Sequence, residues 1–416
     1  MKLLKAASVY VVGGVINRAI PFFLLPVLTH YLDPANYGVL ANFELFFALS
    51  SPVIAVQQTG SVGVMYFRRD TLAFRQYFSS VAVLPFLSTL AISLLYFLFS
   101  APLSKLLEIP EKWILLIPLI GLGAAISNML ITYYISAKKP VPYLLIEIPR
   151  TVLRFAGALF LILVLKWDWE GMAMALLITH SVMGVASLVV LRRLNLIGQG
   201  ISWADMRDGL IFGLPLVLHT VSQNTIDLSN RVFITRMVGL EANGIYSVAY
   251  KVSVILLFVW KAFQQAWTPY FYERLKQNTE SVRLQLTKVI YAVIGLLLVG
   301  ALGLAFIGKY LVLWFMDPAY LVGTYLIPYI VFGIFFQSLF ILMSGFLLYH
   351  KKSKPLASIT IGSAVINLIL NYVLINEFDA LGAALSNMIT YGLGSIAMTI
   401  AANKVHRLPW LFFLKK

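Results

Sequence analysis

WILLIPLIGLGAAISNMLITYYIS, residues 113–136, contains no Asp, Glu, Lys or Arg. At 1.5 Å rise per residue, a helix of this length crosses the roughly 30 Å hydrocarbon core of a bilayer. Membrane barrels instead alternate apolar and polar residues in short strands. Comparable runs recur along all 416 residues, of which 60% are hydrophobic and 12% charged. The mean hydropathy is +0.86. A soluble domain is about 25% charged, so this chain uses lipid as its solvent and satisfies its backbone within helices.

Twelve spans are predicted, near 8–30, 37–58, 79–103, 113–136, 141–165, 170–192, 210–235, 243–263, 288–313, 324–349, 354–376 and 380–402. The basic start with Lys2 and Lys5 resembles a signal peptide. The apolar run continues without a small-residue cleavage site, so it is expected to stay as the first span. The net charge is +15, which on a soluble chain would point to nucleic acid. Here 21 of the 32 Lys and Arg fall in the loops of one side, five on the other and six inside spans. That asymmetry puts both termini in the cytoplasm and accounts for the charge without nucleic acid. The longest loops, around 193–209 and 264–287, leave no room for a soluble catalytic domain. With no cysteine, disulfides and thiol chemistry are excluded.

The two halves echo each other. "PANYGVL" at 34–40 resembles "EANGIYSV" at 241–248, "KKP" at 138–140 resembles "SKP" at 353–355, and "EGMAMALLITH" at 170–180 resembles "LGAALSNMITY" at 381–391. The shifts stay between 206 and 215 residues. An ordered repeat of six spans predicts an all-α integral membrane protein of about twelve helices, in two six-helix lobes related by a parallel internal repeat and facing a central cationic cavity. The expected boundaries are 1–195 for the first lobe, 196–209 for a cytoplasmic linker, 210–403 for the second lobe and 404–416 for a basic tail.

Charges at membrane depth cost roughly 2.5–3.5 kcal/mol each on insertion scales, and they face cavities or partners. Nine fall inside predicted spans: Arg18, Glu44, Glu147, Arg150, Arg154, Asp227, Arg231, Lys251 and Lys261. Basic residues outnumber acidic ones by three. Glu147, Arg150 and Arg154 share a helical face at i, i+3 and i+7, while Asp227 and Arg231 stand at i, i+4. Arg18, Arg150, Arg154, Arg231 and Lys251 are the expected substrate-binding residues, because a guanidinium fork matches phosphate oxygens. Glu147 and Asp227 are expected to pair with the neighbouring arginines, either structurally or as coupling groups. Protonation of Asp227 would release Arg231. The expected substrate carries phosphate or acidic sugars.

Other motifs carry no chemistry. "GLAFIGKY" at 303–310 resembles a P-loop but ends in Tyr310, with no strand before it. Gly209 and Gly213 form a GxxxG suited to packing. No catalytic triad, zinc motif or histidine cluster is present, so neither an enzyme nor a metal protein is expected.

"NRAIPFFLLPVLTHYLDPANYGVL" at 17–40, "MYFRRD" at 65–70 and the second-half counterpart "LSNRVFITRMVGLEANGIYSVAYK" at 228–251 resemble the polysaccharide-export branch of the multidrug/oligosaccharidyl-lipid/polysaccharide flippase superfamily. The resemblance covers essentially the whole chain. It implies a Wzx-type flippase of a bacterial inner membrane, working by alternating access. Such a protein carries undecaprenyl-diphosphate-linked repeat units to the periplasmic leaflet for O-antigen, capsule or exopolysaccharide assembly. It further implies coupling to a proton or sodium gradient, as in some members, and a polysaccharide polymerase and chain-length regulator as partners; no cofactor is expected. The rivals are a multidrug exporter of the same superfamily, which would favour an acidic cleft, and a membrane-embedded polymerase, which would bring a large external loop.

Overall fold

The computed structural model describes residues 24–277, 279–350 and 352–410. Arg18, most of the first predicted span and the Asp227 side chain lie outside the described residues. Among those described, every regular element is a helix and none is a strand. The chain divides into two compact units, Met1–Leu228 and Ser229–Lys416.

In the first unit the helices are α1 (Pro34–Ala55), α2 (Gln58–Arg68), α3 (Thr71–Val81), α4 (Leu84–Leu98), α5 (Ser100–Leu107), α6 (Glu111–Ser136), α7 (Pro140–Leu159) and α8 (Asp168–Arg193). Residues 24–31 are also helical. Helix α9 (Trp203–Met237) carries the division between the units. The second unit continues with α10 (Leu240–Ser253), α11 (Ile255–Gln277), α12 (Glu280–Phe315), α13 (Ile327–Tyr349) and α14 (Ser353–Val405). Each predicted span after the first falls on a helix, on two or three successive helices, or on one limb of α14.

The helices start where local chemistry provides a cap. Asp33, just ahead of Pro34, accepts the Asn36 N–H at 2.8 Å. Asp70 accepts the N–H groups of Leu72 and Ala73. Such side chains satisfy donors that a helix start leaves open. Between α1 and α2, Val56 and Gln57 take left-handed conformations, φ +48° and +49°. That break is packed from below: Gly213 of α9 lies against the Val56 carbonyl, and Gln58 donates to it at 3.0 Å. The GxxxG of α9 therefore serves packing.

The stretch 264–287 is not a loop. Helix α11 runs through Gln277 and α12 begins at Glu280, with Thr279 accepting the Val282 N–H at 3.4 Å. Hydropathy marks where a span leaves the hydrocarbon, whereas a helix can continue into water on its own hydrogen bonds.

The internal repeat is visible in one hairpin of each unit. In the first, a π-turn at Phe160–Val164 and left-handed residues Lys166 and Asp168 reverse the chain between α7 and α8. In the second, Asp379 (φ +50°, ψ −136°) breaks α14. Asn367 donates to Asn387 Oδ1 at 3.0 Å across that break. In a straight helix those residues would stand about 30 Å apart, so the limbs fold back as an antiparallel pair. Gly171 sits against Leu161 and Ile162, and Gly382 against Leu374 and Ile375. These two glycines are the ones the sequence repeat superposes.

A buried amide network holds the second hairpin. Asn371 Nδ2 donates to Asn230 Oδ1 at 2.8 Å and to Asn367 Oδ1 at 3.1 Å, and Asn230 donates to the Tyr246 hydroxyl at 2.9 Å. All three asparagines are fully buried. Interhelical amides of this kind supply the attraction that apolar surfaces lack in lipid.

At the C-terminal end of α14, His406 stacks on Phe346 and lies 5.7 Å from the His350 ring. Burial, with His350 and Arg283 nearby, holds the His406 imidazole below its ordinary value. A depressed imidazole contributes stability that is present above the unfolded-state value of about 6.5 and lost as pH falls through the folded-state one. The thermal midpoint of the protein is therefore expected to drop below about pH 6.5, and His406→Phe to flatten that dependence in a pH series of melting curves. An unchanged slope in His406→Phe would assign the acid sensitivity elsewhere.

Candidate functional site

Helices α1, α6, α7 and α8 of the first unit enclose a cavity of about 310 Å³. Three of the sequence-predicted residues meet in it. Glu147, Arg150 and Arg154 stand on one face of α7, as their spacing requires, and the cavity is completed by Asn128 of α6 and His180 of α8.

The two arginines are held very differently. Arg150 Nη2 lies 2.6 Å from Glu147 Oε2 and donates to Oε1 at 2.7 Å, and Nη1 donates to Asn128 Oδ1 at 2.8 Å. Its fork is spent on neighbours. Arg154 reaches Glu44 of α1 at only 3.8 Å, beyond hydrogen-bond distance, and its plane lies 5.3 Å from the Phe155 ring. Its Nε is buried without a hydrogen-bond partner. His180 is also buried, 5.8 Å from the Phe47 ring, and its Nδ1 has no partner.

An orphaned buried polar group costs roughly 1–3 kcal/mol. Two such atoms, on facing helices α7 and α8, line this one cavity. Arg154 offers a cation and free N–H donors. His180 offers an unpartnered Nδ1 that either donates or accepts, depending on its tautomer. An anionic, oxygen-rich ligand satisfies both.

Two arginines and two carboxylates meet around this cavity, so the positive surplus read from the sequence comes from the other in-membrane basic residues. In the second unit Arg231 is buried, with its guanidinium 5.5 Å from the Tyr250 ring, and Lys251 is half-buried on α10. Among the described residues no group of His, Asp and Glu could hold a metal ion. The P-loop lookalike at 303–310 lies within continuous helix α12.

Sequence reasoning missed His180 and Asn128 as members of this site. Both are neutral, and a search for buried charge passes over them. The one signal for His180 was its place at the end of a repeat block, opposite Tyr391. In the second unit Tyr391 accepts a hydrogen bond from Gln337 Nε2 at 3.0 Å, so the matching position is satisfied there and open here.

Comparison with known proteins extends this picture. The family described as Polysaccharide biosynthesis protein matches residues 3–275, and the family described as MatE matches 215–373. A Haemophilus influenzae protein called Lsg locus putative protein 1 is 22% identical over 380 residues, covering 88% of this chain and 90% of that protein. Among solved structures, the lipid II flippase MurJ in an inward closed conformation aligns with a TM-score of 0.75 at 14% identity, covering 98% of this chain and 89% of MurJ. An inward-facing multidrug resistance MATE family transporter aligns with a TM-score of 0.69 at 14% identity, covering 96% of this chain and 97% of that one. At these identities the two structures show a shared fold.

Proposed function

The chain belongs to the polysaccharide biosynthesis protein family, and we propose that it is a flippase for lipid-linked oligosaccharides, moving undecaprenyl-diphosphate-linked repeat units from the cytoplasmic to the periplasmic leaflet. The observation that carries this reading is Arg154, a half-buried arginine whose buried Nε lacks a partner and whose carboxylate neighbour stands at 3.8 Å. Charge-assisted hydrogen bonds to phosphate are about twice as strong as neutral ones. A diphosphate entering the cavity would meet Arg154 and His180 and compete with Glu44 for the guanidinium. The polyprenyl tail has no need of the cavity and stays in lipid while the head crosses. Arg18, Arg150, Arg231 and Lys251 complete the proposed anion-binding set. Alternating access between inward and outward states follows from the same reading. So does coupling to a proton or sodium gradient, with protonation of Asp227 releasing Arg231.

The reading extends to a bacterial inner-membrane location with both termini cytoplasmic, and to a polymerase and chain-length regulator as downstream partners. The positive-loop asymmetry supports the orientation.

The test is a strain lacking the gene. It is expected to lose surface polysaccharide and to accumulate lipid-linked repeat units on the cytoplasmic face, detectable by labelling of intact against permeabilised spheroplasts. Normal polysaccharide, combined with new sensitivity to cationic drugs, would overturn the flippase reading in favour of the multidrug exporter.

A further inference from the structure

A second cavity in the first unit stands apart from the arginine site. It encloses about 520 Å³, within the usual range of roughly 300–1,000 Å³ for ligand pockets. Its walls are Ala82, Val83 and Phe86 on one side and Leu188 and Leu191 of α8 on the other, with Ile126 and Met129 of α6 behind. On α6 these last two lie away from the face that carries Ala124 and Asn128 into the arginine cavity.

The floor is the segment 194–202. Gly198 and Gly200 line the cavity with φ of +86° and +88°, a left-handed backbone that glycine adopts without strain. The segment is pinned to α3: the N–H groups of Gly198 and Gln199 donate to Ser79 Oγ at 3.1 and 3.3 Å, and that of Ser202 to Ser80 Oγ at 2.9 Å. The cavity is thus a built feature of the fold.

Its flanks face lipid. Phe86, Leu90 and Leu94 of α4 and Val182, Val185 and Val189 of α8 are exposed. The end beside segment 194–202 is basic. Arg75 stands one turn before Ser79 on the same face of α3, and Arg192 and Arg193 close α8 directly after Leu191. Among the described residues none of the three has a carboxylate within 4 Å. An apolar slot open to the bilayer, ending in three arginines where the helices leave the hydrocarbon, matches one kind of molecule in shape and charge.

We propose that this groove binds an anionic glycerophospholipid of the surrounding leaflet. One acyl chain lies along Ala82, Val83 and Phe86, and the phosphate is held by Arg75, Arg192 and Arg193. Basic pockets between transmembrane helices recognise anionic head groups in this manner. Because the floor is the segment between α8 and α9, the bound lipid fastens that segment to α3. The transported lipid is the less suited occupant, because its diphosphate would have to lie in the arginine cavity on the other face of α6.

The test uses purified full-length protein in nanodiscs of phosphatidylethanolamine and phosphatidylglycerol, read by native mass spectrometry. Wild type is expected to retain one phosphatidylglycerol in preference to phosphatidylethanolamine. Arg192→Gln combined with Arg193→Gln is expected to weaken retention on the order of tenfold, and Ala82→Trp, which fills the slot, to displace the lipid. Where Ala82→Trp fails to elute as a single species, Leu188→Trp on the opposite wall replaces it. Equal retention in all variants would overturn the proposal. So would loss in the arginine variant alone, which would reduce the effect to surface attraction. Retention of a polyprenyl phosphate in place of phosphatidylglycerol would overturn the choice of occupant.

Discussion

Arg154→Ala is expected to abolish surface polysaccharide at unchanged protein abundance, whereas Arg150→Ala is expected to lose the protein itself. The two residues stand one helical turn apart and face one cavity, so the difference lies in how each is held. Arg150 makes three short contacts, two to Glu147 and one to Asn128. Removing it leaves the Glu147 carboxylate buried without its cation, and breaking such a pair costs roughly 3–5 kcal/mol. Much of the stability of a typical domain is of that size. Arg154 makes one distant ionic contact, to a Glu44 side chain that is itself 23% exposed, besides lying 5.3 Å from the Phe155 ring. Its removal costs the fold little and takes from the cavity its available cation. Losing charge-assisted bonds worth roughly 1.5–3 kcal/mol lowers headgroup affinity about tenfold to a hundredfold.

Arg154→Lys keeps the charge without the planar fork and is expected to restore part of the polysaccharide. Glu44→Gln frees the guanidinium and is expected to leave export intact or raise it. The measurement is surface polysaccharide normalised to immunoblot signal in the deletion strain. Combining Glu147→Ala with Arg150→Ala is expected to recover abundance beyond Arg150→Ala alone, since no uncompensated carboxylate remains. Full export from Arg154→Ala would remove the cavity from the transport route.

What the sequence disclosed follows from what lipid enforces. Hydrophobic run length is a constraint on every span, and each predicted span after the first falls on helix. The repeat was legible because reversal at a hairpin needs a small residue at a fixed place, which left Gly171 and Gly382 in register. The helical face of Glu147, Arg150 and Arg154 was legible for the same geometric reason. The partners of those residues were not. Glu44 meets Arg154 across more than a hundred residues of chain, and Asn128 meets Arg150 from a separate helix. No local period encodes either encounter. The same holds for the Asn230, Asn367 and Asn371 network, whose neutral amides leave no mark on a charge map. The polar extensions of α11 and α12 were missed because hydropathy reads the solvent and not the backbone.

Close helix crossings were the other hidden feature, and they carry the largest expected effect on folding. Gly123→Ala is expected to destabilise the first unit severely. Helices α6 and α8 touch there through backbone. A Cβ on Gly123 would fall well inside van der Waals contact distance of the His180 carbonyl oxygen, and a Cβ on Gly184 would stand 2.7 Å from Gly123 Cα. Overpacking a core with a methyl group typically costs 1–3 kcal/mol when side chains can shift. Here the obstructing atoms are main chain, bound into helix ladders, so the helices themselves must separate and the cost is roughly 3 kcal/mol or more. The separation also carries His180 away from Arg154, so export should fail in any protein that survives. Gly295→Ala on α12 is the matched control, because nothing lies within 4 Å of its added Cβ and alanine is the better helix former. In detergent, thermal unfolding followed by fluorescence-detected gel filtration should show a large drop for Gly123→Ala and none for Gly295→Ala. Equal midpoints would mean that α6 and α8 do not meet backbone to backbone, and the cavity they help to enclose would lose its back wall.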